Sequence, residues 1–203
     1  SRRIAAIDQQ VALTLDEPSG TTLQSDWVDQ THWVTGSAVL QRLLRRLQHA
    51  HPPLSETVRI QLGVKTGANG VFVDPPMALH RWCRPAIRGR DSAAFEAPPG
   101  VRLLWPADLN GTPWRDLPPS LADYLEPHRG SLNRRADQHH GPVWQLFRVG
   151  AATARHRVVW SDLARTLAAA HLDDADSVPL NSCYVAAMPT AAMANALTGW
   201  LNS

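Results

Sequence analysis

Cysteine is scarce in this 203-residue chain, with Cys83 and Cys183 the only two. They match no zinc-ligand spacing and are too few for the disulfide framework of a small secreted fold, so a reduced, cytoplasmic setting is expected. Lysine is scarcer still: Lys65 stands alone among 20 basic residues, the others all being Arg. Long apolar runs are missing as well. No stretch approaches the roughly 20 residues that span a bilayer, and the opening SRRIAAIDQQ lacks a signal-peptide core, so no membrane partner is expected. Nor does a glycine fingerprint for a nucleotide cofactor follow any strand-like run. With a net charge of only +2, any polyanion-binding surface must come from local clusters rather than from the whole chain.

What is present suffices for a folded core. A hydrophobic content of 44% over this length fits one domain or two small ones. Residues Ile4 to Leu15 alternate loosely and predict a strand. From Gly36 to His49, Val39, Leu40, Leu43, Leu44 and Leu47 recur at three- and four-residue spacing, which predicts an amphipathic helix with Arg42, Arg45 and Arg46 on a solvated face. Strands are expected at Val58 to Leu62, Val71 to Val73, Val101 to Trp105, Trp144 to Val149 and Arg157 to Trp160. A turn is expected at Asn110-Gly111, and a helix from Leu117-Pro118-Pro119 to about Arg134-Arg135. Ala191 to Leu201 also reads as helix. The Ala- and Leu-rich segment Asp162 to His171 favours helix by propensity. Strands and helices without a regular βαβ repeat predict an α+β fold of mixed short elements, with no complete Rossmann core.

The densest chemistry runs from Gly63 to Asp91. Gly63, Gly67 and Gly70, with Thr66, Asn69 and Lys65, make a glycine-rich turn whose main-chain amides could face a phosphate. Arg81, Arg84, Arg88 and Arg90 follow, a density of guanidinium groups suited to phosphate or guanine edges. A second cationic stretch, His128 to Arg165, holds Arg129, Arg134, Arg135, Arg148, Arg155, Arg157 and Arg165 against only Asp137 and Asp162. High-GC coding would also enrich arginine, so the position of Lys65 is more informative than the abundance of Arg. The eight Trp residues are mostly core candidates by size, with one or two available to stack on a base.

Self-contained catalysis has little to stand on. Asp74-Pro75-Pro76-Met77 lacks the aromatic fourth residue that would stack on a flipped base, so a plain turn is expected. His139-His140 with Asp137 offers too few convergent ligands for zinc and reads as a polar loop. No Ser/His/Asp order stands out.

Taken together, GVKTGANGVFV, RPAIRGRD, YLEPHRGSLNRR, Trp144 with Leu146, PLNSCYV and WLNS resemble the target-recognition region of TaqI-like N6-adenine DNA methyltransferases of combined restriction-modification enzymes. The resemblance covers about Trp27 to Ser203. It implies a DNA-sequence-recognition domain over 27–203, residues 1–26 being a linker or strand from a preceding catalytic domain, in a fragment of a longer chain. It implies double-stranded DNA and that catalytic domain as partners. It also implies no cofactor in this fragment, S-adenosylmethionine belonging to the parent enzyme, and extended chain across Asp162 to His171. With the cationic clusters, the expected DNA contacts are Lys65, Thr66, Gly67, Asn69, Arg84, Arg88, Arg90, Arg134, Arg135, Arg155 and Arg157. The competing reading is a protein-interaction or structural module whose arginines pair with acids of a partner.

Overall fold

The computed structural model describes residues 38–203 together with Ala6–Ile7 and Gln10–Val11. The expected boundary between residues 26 and 27, and Trp27 and Trp33, lie outside the described residues. The chain divides into two compact units, Ser1–Thr57 and Val58–Ser203. In the first, β1 (Ala6–Ile7) pairs antiparallel with β2 (Gln10–Val11), so the stretch expected as one strand folds back on itself. Helix α1 (Ala38–Ala50) answers the expected periodicity and is followed by α2 (Leu54–Thr57). Val39, Leu43 and Leu47, spaced along one face of α1, remain 64%, 50% and 47% exposed.

The second unit opens with β3 (Ile60–Leu62) and the short helix α3 (Asn69–Phe72), then a 3-10 turn at Met77–Trp82 leading into β4 (Cys83–Ile87). After a 3-10 turn at Gly89–Asp91 come β5 (Val101–Leu104), α4 (Pro119–Leu125), α5 (Arg129–Asn133) and α6 (Val149–Ala152). The chain then runs through β6 (His156–Ser161), β7 (Ala169–Leu172), β8 (Val178–Pro179), β9 (Cys183–Met188) and α7 (Ala191–Leu201). A four-stranded sheet has the order β3-β9-β6-β7 and a three-stranded one the order β5-β4-β8. The named pairs are antiparallel except β4 with β8. This is an α+β fold without a Rossmann core. No described helix is long and apolar enough to cross a membrane.

Period-two alternation explains the larger sheet. Val159 on β6, Ala170 and Leu172 on β7, and Cys183 and Val185 on β9 share one buried face with Ile87. Over the opposite face lies α7, with Ala194, Leu197 and Thr198 buried. The Thr190 hydroxyl accepts the Met193 amide at its start, and at its end the Asn202 side chain bonds both the amide and the carbonyl of Ala169 at 2.8 Å. A second cluster joins Phe72, Leu103, Leu104, Leu121 and Leu132, all fully buried. Each such side chain contributes about 1.5–3 kcal/mol relative to an exposed one.

Two expected strands are replaced. Val71 and Phe72 lie in the single turn of α3, anchored by the Tyr124 hydroxyl donating to the Val71 carbonyl at 2.9 Å, and only Val73 bridges to Leu103. Trp144 to Val149 has one strand-like rung, Phe147 opposite Lys65, before α6 begins at Val149. Hydrophobic residues are common to both segments; each keeps only a single bridge rather than a ladder, and a two-sided apolar requirement can be met by a turn of helix. Between Asp162 and His171 the chain bends and then joins β7, because pairing with β6 outweighs the helix propensity of its Ala and Leu.

Candidate functional site

The segment Pro179–Cys183 is the hub on which the glycine-rich turn and the arginine-rich segment converge. Val64 donates to the Pro179 carbonyl at 2.8 Å and Gly63 to that of Cys183 at 2.9 Å. A Cβ on Gly63 would collide with the carbonyls of Pro179 and Leu180, so glycine there permits close backbone approach. On the other side, Leu180 donates to Ile87 at 2.9 Å and the Gly89 amide donates to the Ser182 hydroxyl at 2.9 Å. A Cβ on Gly89 would strike the Ser182 carbonyl and the Ser161 hydroxyl. Thus GVKTG, RPAIRGRD and PLNSCYV, distant in sequence, form one joint.

Within the turn, several donors expected to face an anion are engaged internally. The Lys65 amide and carbonyl pair with Phe147 at 3.0 and 2.9 Å, and the Lys65 ammonium sits 2.5 Å from Asp137. That hydrogen bond from Lys65 is the main cause holding the Asp137 carboxyl below its usual range. Thr66 is buried, donating to Asn69 Oδ1 at 2.5 Å and accepting the Ala68 amide at 3.1 Å. Gly67, at φ +65, and Asn69 are exposed.

The expected arginine contacts divide sharply. Arg135 is 7% exposed, lies over the rings of Phe72 and Phe147, and donates to the carbonyls of Leu132, Thr66, Gln145 and Val143. Arg157 is fully buried and donates to the carbonyls of Ala152, Ser177 and Asp174. Arg84, against the ring of Trp105, donates to the carbonyls of Asp176 and Ala175. Burial lowers the pKa of all three guanidinium groups from its ordinary value. Burial alone would raise the Asp174 carboxyl beside them, but the Ser177 amide, Arg157 and the Asp176 amide together hold it low. Buried and held largely by main-chain carbonyls, Arg84, Arg135 and Arg157 leave the set of surface contacts, as does the buried Thr66.

Arg90, Arg134 and Arg155 stay at the surface, and Arg88 is half-buried with its Nε 3.2 Å from Asp91 Oδ2. Asp91 also accepts the Arg88 amide at 3.1 Å, closing the 3-10 turn on itself. Arg90 is only loosely tied to Asp91, at 3.9 Å, with 70% of its side chain exposed. It lines a cavity of about 440 Å³ together with Trp160, Asp162, Leu163, Thr166 and Tyr184. Opposed on β6 and β9, the rings of Trp160 and Tyr184 stack with centroids 5.8 Å apart and planes 28° from parallel. Sequence reading treated Trp160 only as one of several aromatic candidates and missed Tyr184. The usable signal was alternation, which sets both on the face opposite Val159 and Val185.

Neither thiol suits nucleophilic chemistry. Burial pushes Cys83 up to about 11 and Cys183 up to about 12, so neither holds a thiolate near neutrality. Asp74-Pro75-Pro76-Met77 forms a turn, with Asp74 at φ +52 accepting the Arg102 amide at 2.8 Å and Met77 82% exposed. No protein-family model matches the chain, and no curated protein matches it either.

Proposed function

We propose that the chain is a DNA target-recognition module, non-catalytic by itself, that acts with the methyltransferase domain of a restriction-modification polypeptide in the cytoplasm. The observation that carries this reading is Arg90, exposed at the edge of a cavity bearing the stacked Trp160 and Tyr184, on a turn fixed by the Gly89–Ser182 joint. An exposed cation on a hydrogen-bonded turn suits phosphate or a base edge, and an adjacent aromatic pair suits an unstacked base. Arg134 and Arg155 add exposed charge for phosphates, which position the protein without specifying sequence.

The test is binding of the chain to a mixed-sequence duplex across a salt series. Arg90→Ala should lower the slope of log affinity against log salt by about one if Arg90 meets a phosphate, or weaken sequence-specific binding by about 1–3 kcal/mol if it reads a base. Undiminished affinity in an Arg88→Ala/Arg90→Ala variant, at low salt and on specific DNA, would defeat the assignment.

The exposed row Val39, Leu43 and Leu47 on α1 favours a second role, docking of a protein surface, whether the catalytic domain or another partner. A chain that binds no DNA but co-sediments with a partner until Leu43→Lys is introduced would favour that reading over the first.

A further inference from the structure

At one end of the larger sheet, β6 and β7 bring together three side chains that no expectation from sequence had grouped. Antiparallel register sets Val158 opposite His171 and Arg157 opposite Leu172. Extending it by one residue puts His156 opposite Asp173, with all three side chains on the face covered by α7. One ligand atom from each of His156, His171 and Asp173 falls within 4.8 Å of the others, and among the described residues this is the one such group.

The hydrogen bonding leaves lone pairs available there. His171 Nδ1 lies 2.7 Å from Asn195 Oδ1 on α7. An amide oxygen only accepts, so Nδ1 carries the proton and Nε2 the lone pair. That Nε2 is buried and meets no hydrogen-bond partner. His156 Nδ1 approaches Asp173 Oδ1 to 2.9 Å, yet it too is buried without an aligned hydrogen bond. A plain His156–Asp173 ion pair would account for that distance but not for the bare Nε2 of His171.

We propose that His156, His171 and Asp173 form a three-ligand site for a divalent transition-metal ion of the zinc class. Two imidazole nitrogens and one carboxylate oxygen match the ligand preference of zinc, whereas calcium and magnesium favour all-oxygen shells. Bonds of about 2.0–2.2 Å set tetrahedral ligands about 3.4 Å apart, so the 2.9 Å pair is already near that spacing, and the His171 ligand atom lies within 4.8 Å of both. Asn195 acts as the outer partner that fixes the His171 tautomer. Arg155 Nε, 3.8 Å from Asp173, is the one guanidinium at the carboxylate among the described residues, and its side chain is 77% exposed. Asp173 opens the loop whose carbonyls hold Arg84 and Arg157, so the ion would pin that loop to β6.

The experiment is calorimetric titration of the metal-free chain with zinc sulfate, paralleled by cobalt(II) titration read in the visible spectrum. The expected result is one ion per chain at micromolar affinity, with tetrahedral cobalt absorption. Both signals should be lost in His171→Ala and in Asp173→Asn, two variants whose far-UV circular dichroism should match the parent, and kept in His139→Ala/His140→Ala. No binding by the parent chain at micromolar metal, or stoichiometric binding that survives both His171→Ala and Asp173→Asn, would overturn the site.

Discussion

Arg157 and Arg90 carry the same guanidinium into opposite surroundings. Arg157 is fully buried among three main-chain carbonyls, whereas the Arg90 side chain is 70% exposed and loosely held by one carboxylate. The two arise from sequence contexts that look alike, each an arginine within a basic run. What separates them is the partner each meets in space: the turn 174–177 presents converging carbonyls to Arg157, and the Gly89–Ser182 joint turns the backbone so that Arg90 faces out. Arginine density therefore overstates surface charge here, and interior arginines do the work of hydrogen-bond hubs joining loops with few regular ladders.

The sharpest way to break this contrast is to remove an interior member. Arg157→Ala leaves the carbonyls of Ala152, Ser177 and Asp174 without their donor and Asp174 without its 3.6 Å cation. A loss of about 3–5 kcal/mol is expected from breaking such a buried charged network. Urea denaturation followed by tryptophan fluorescence would measure it. Stability unchanged by Arg157→Ala would dissolve the distinction between the two classes.

The next effect is smaller and is set by backbone geometry. Gly67 sits at φ +65, and a Cβ there would come 3.0 Å from Arg135 Cδ. Gly67→Val combines a left-handed residue, at about 1–2 kcal/mol, with pressure on the Arg135 stem. Gly67→Asn tolerates that φ better and should recover part of the loss in thermal unfolding, since Asn visits the left-handed region more readily than a β-branched residue. Equal melting temperatures for the two variants would show that contact with Arg135, not φ, governs the position.

At the surface the expected stability change nearly vanishes. Arg90→Ala should shift unfolding by no more than about 0.5 kcal/mol while changing DNA binding in the salt series. A cooperative loss of stability instead would move Arg90 into the interior class.

The long, periodic elements were legible in the sequence. The expected Ala191–Leu201 helix is α7 to the residue, and the described part of the amphipathic run from Gly36 to His49 lies in α1. The strands at Val101 and Arg157 were legible as short apolar runs bounded by turn-forming residues. Val71 to Val73 was not, because a three-residue apolar run is equally at home in one helical turn, and only the distant Tyr124 hydroxyl and the packing of Phe72 decide it. Of the candidate site, the sequence marked two basic segments but not which of their side chains point out, since that depends on carbonyls contributed by residues as far away as Asp176 for Arg84 and Thr66 for Arg135. The His156–His171–Asp173 group was invisible for the same reason: strand register, not spacing, assembles it.

The smallest effect expected concerns the one lysine. Lys65 and Asp137 are 2.5 Å apart with 30% and 38% of their side chains exposed, a geometry between the two arginine classes. The Asp137 carboxyl has a folded pKa below its unfolded value, chiefly through the Lys65 hydrogen bond. A depressed carboxyl contributes stability that is present above the unfolded pKa, near 3.8, and is lost as pH falls from there through the folded value. The pair should therefore lift the neutral plateau slightly, without making it pH-dependent, and add a shallow acid-side decline to the stability profile. Solvent screening keeps that contribution slight, and added salt should shrink it further. Lys65→Met preserves the stem and removes the charge, so its stability should fall slightly below the parent's at neutral pH and converge on it as pH drops through the folded pKa of Asp137. A pair buried as firmly as Arg157 would instead show a gap that persists at every pH and salt concentration, and urea midpoints measured between pH 2.5 and 7 distinguish the two outcomes.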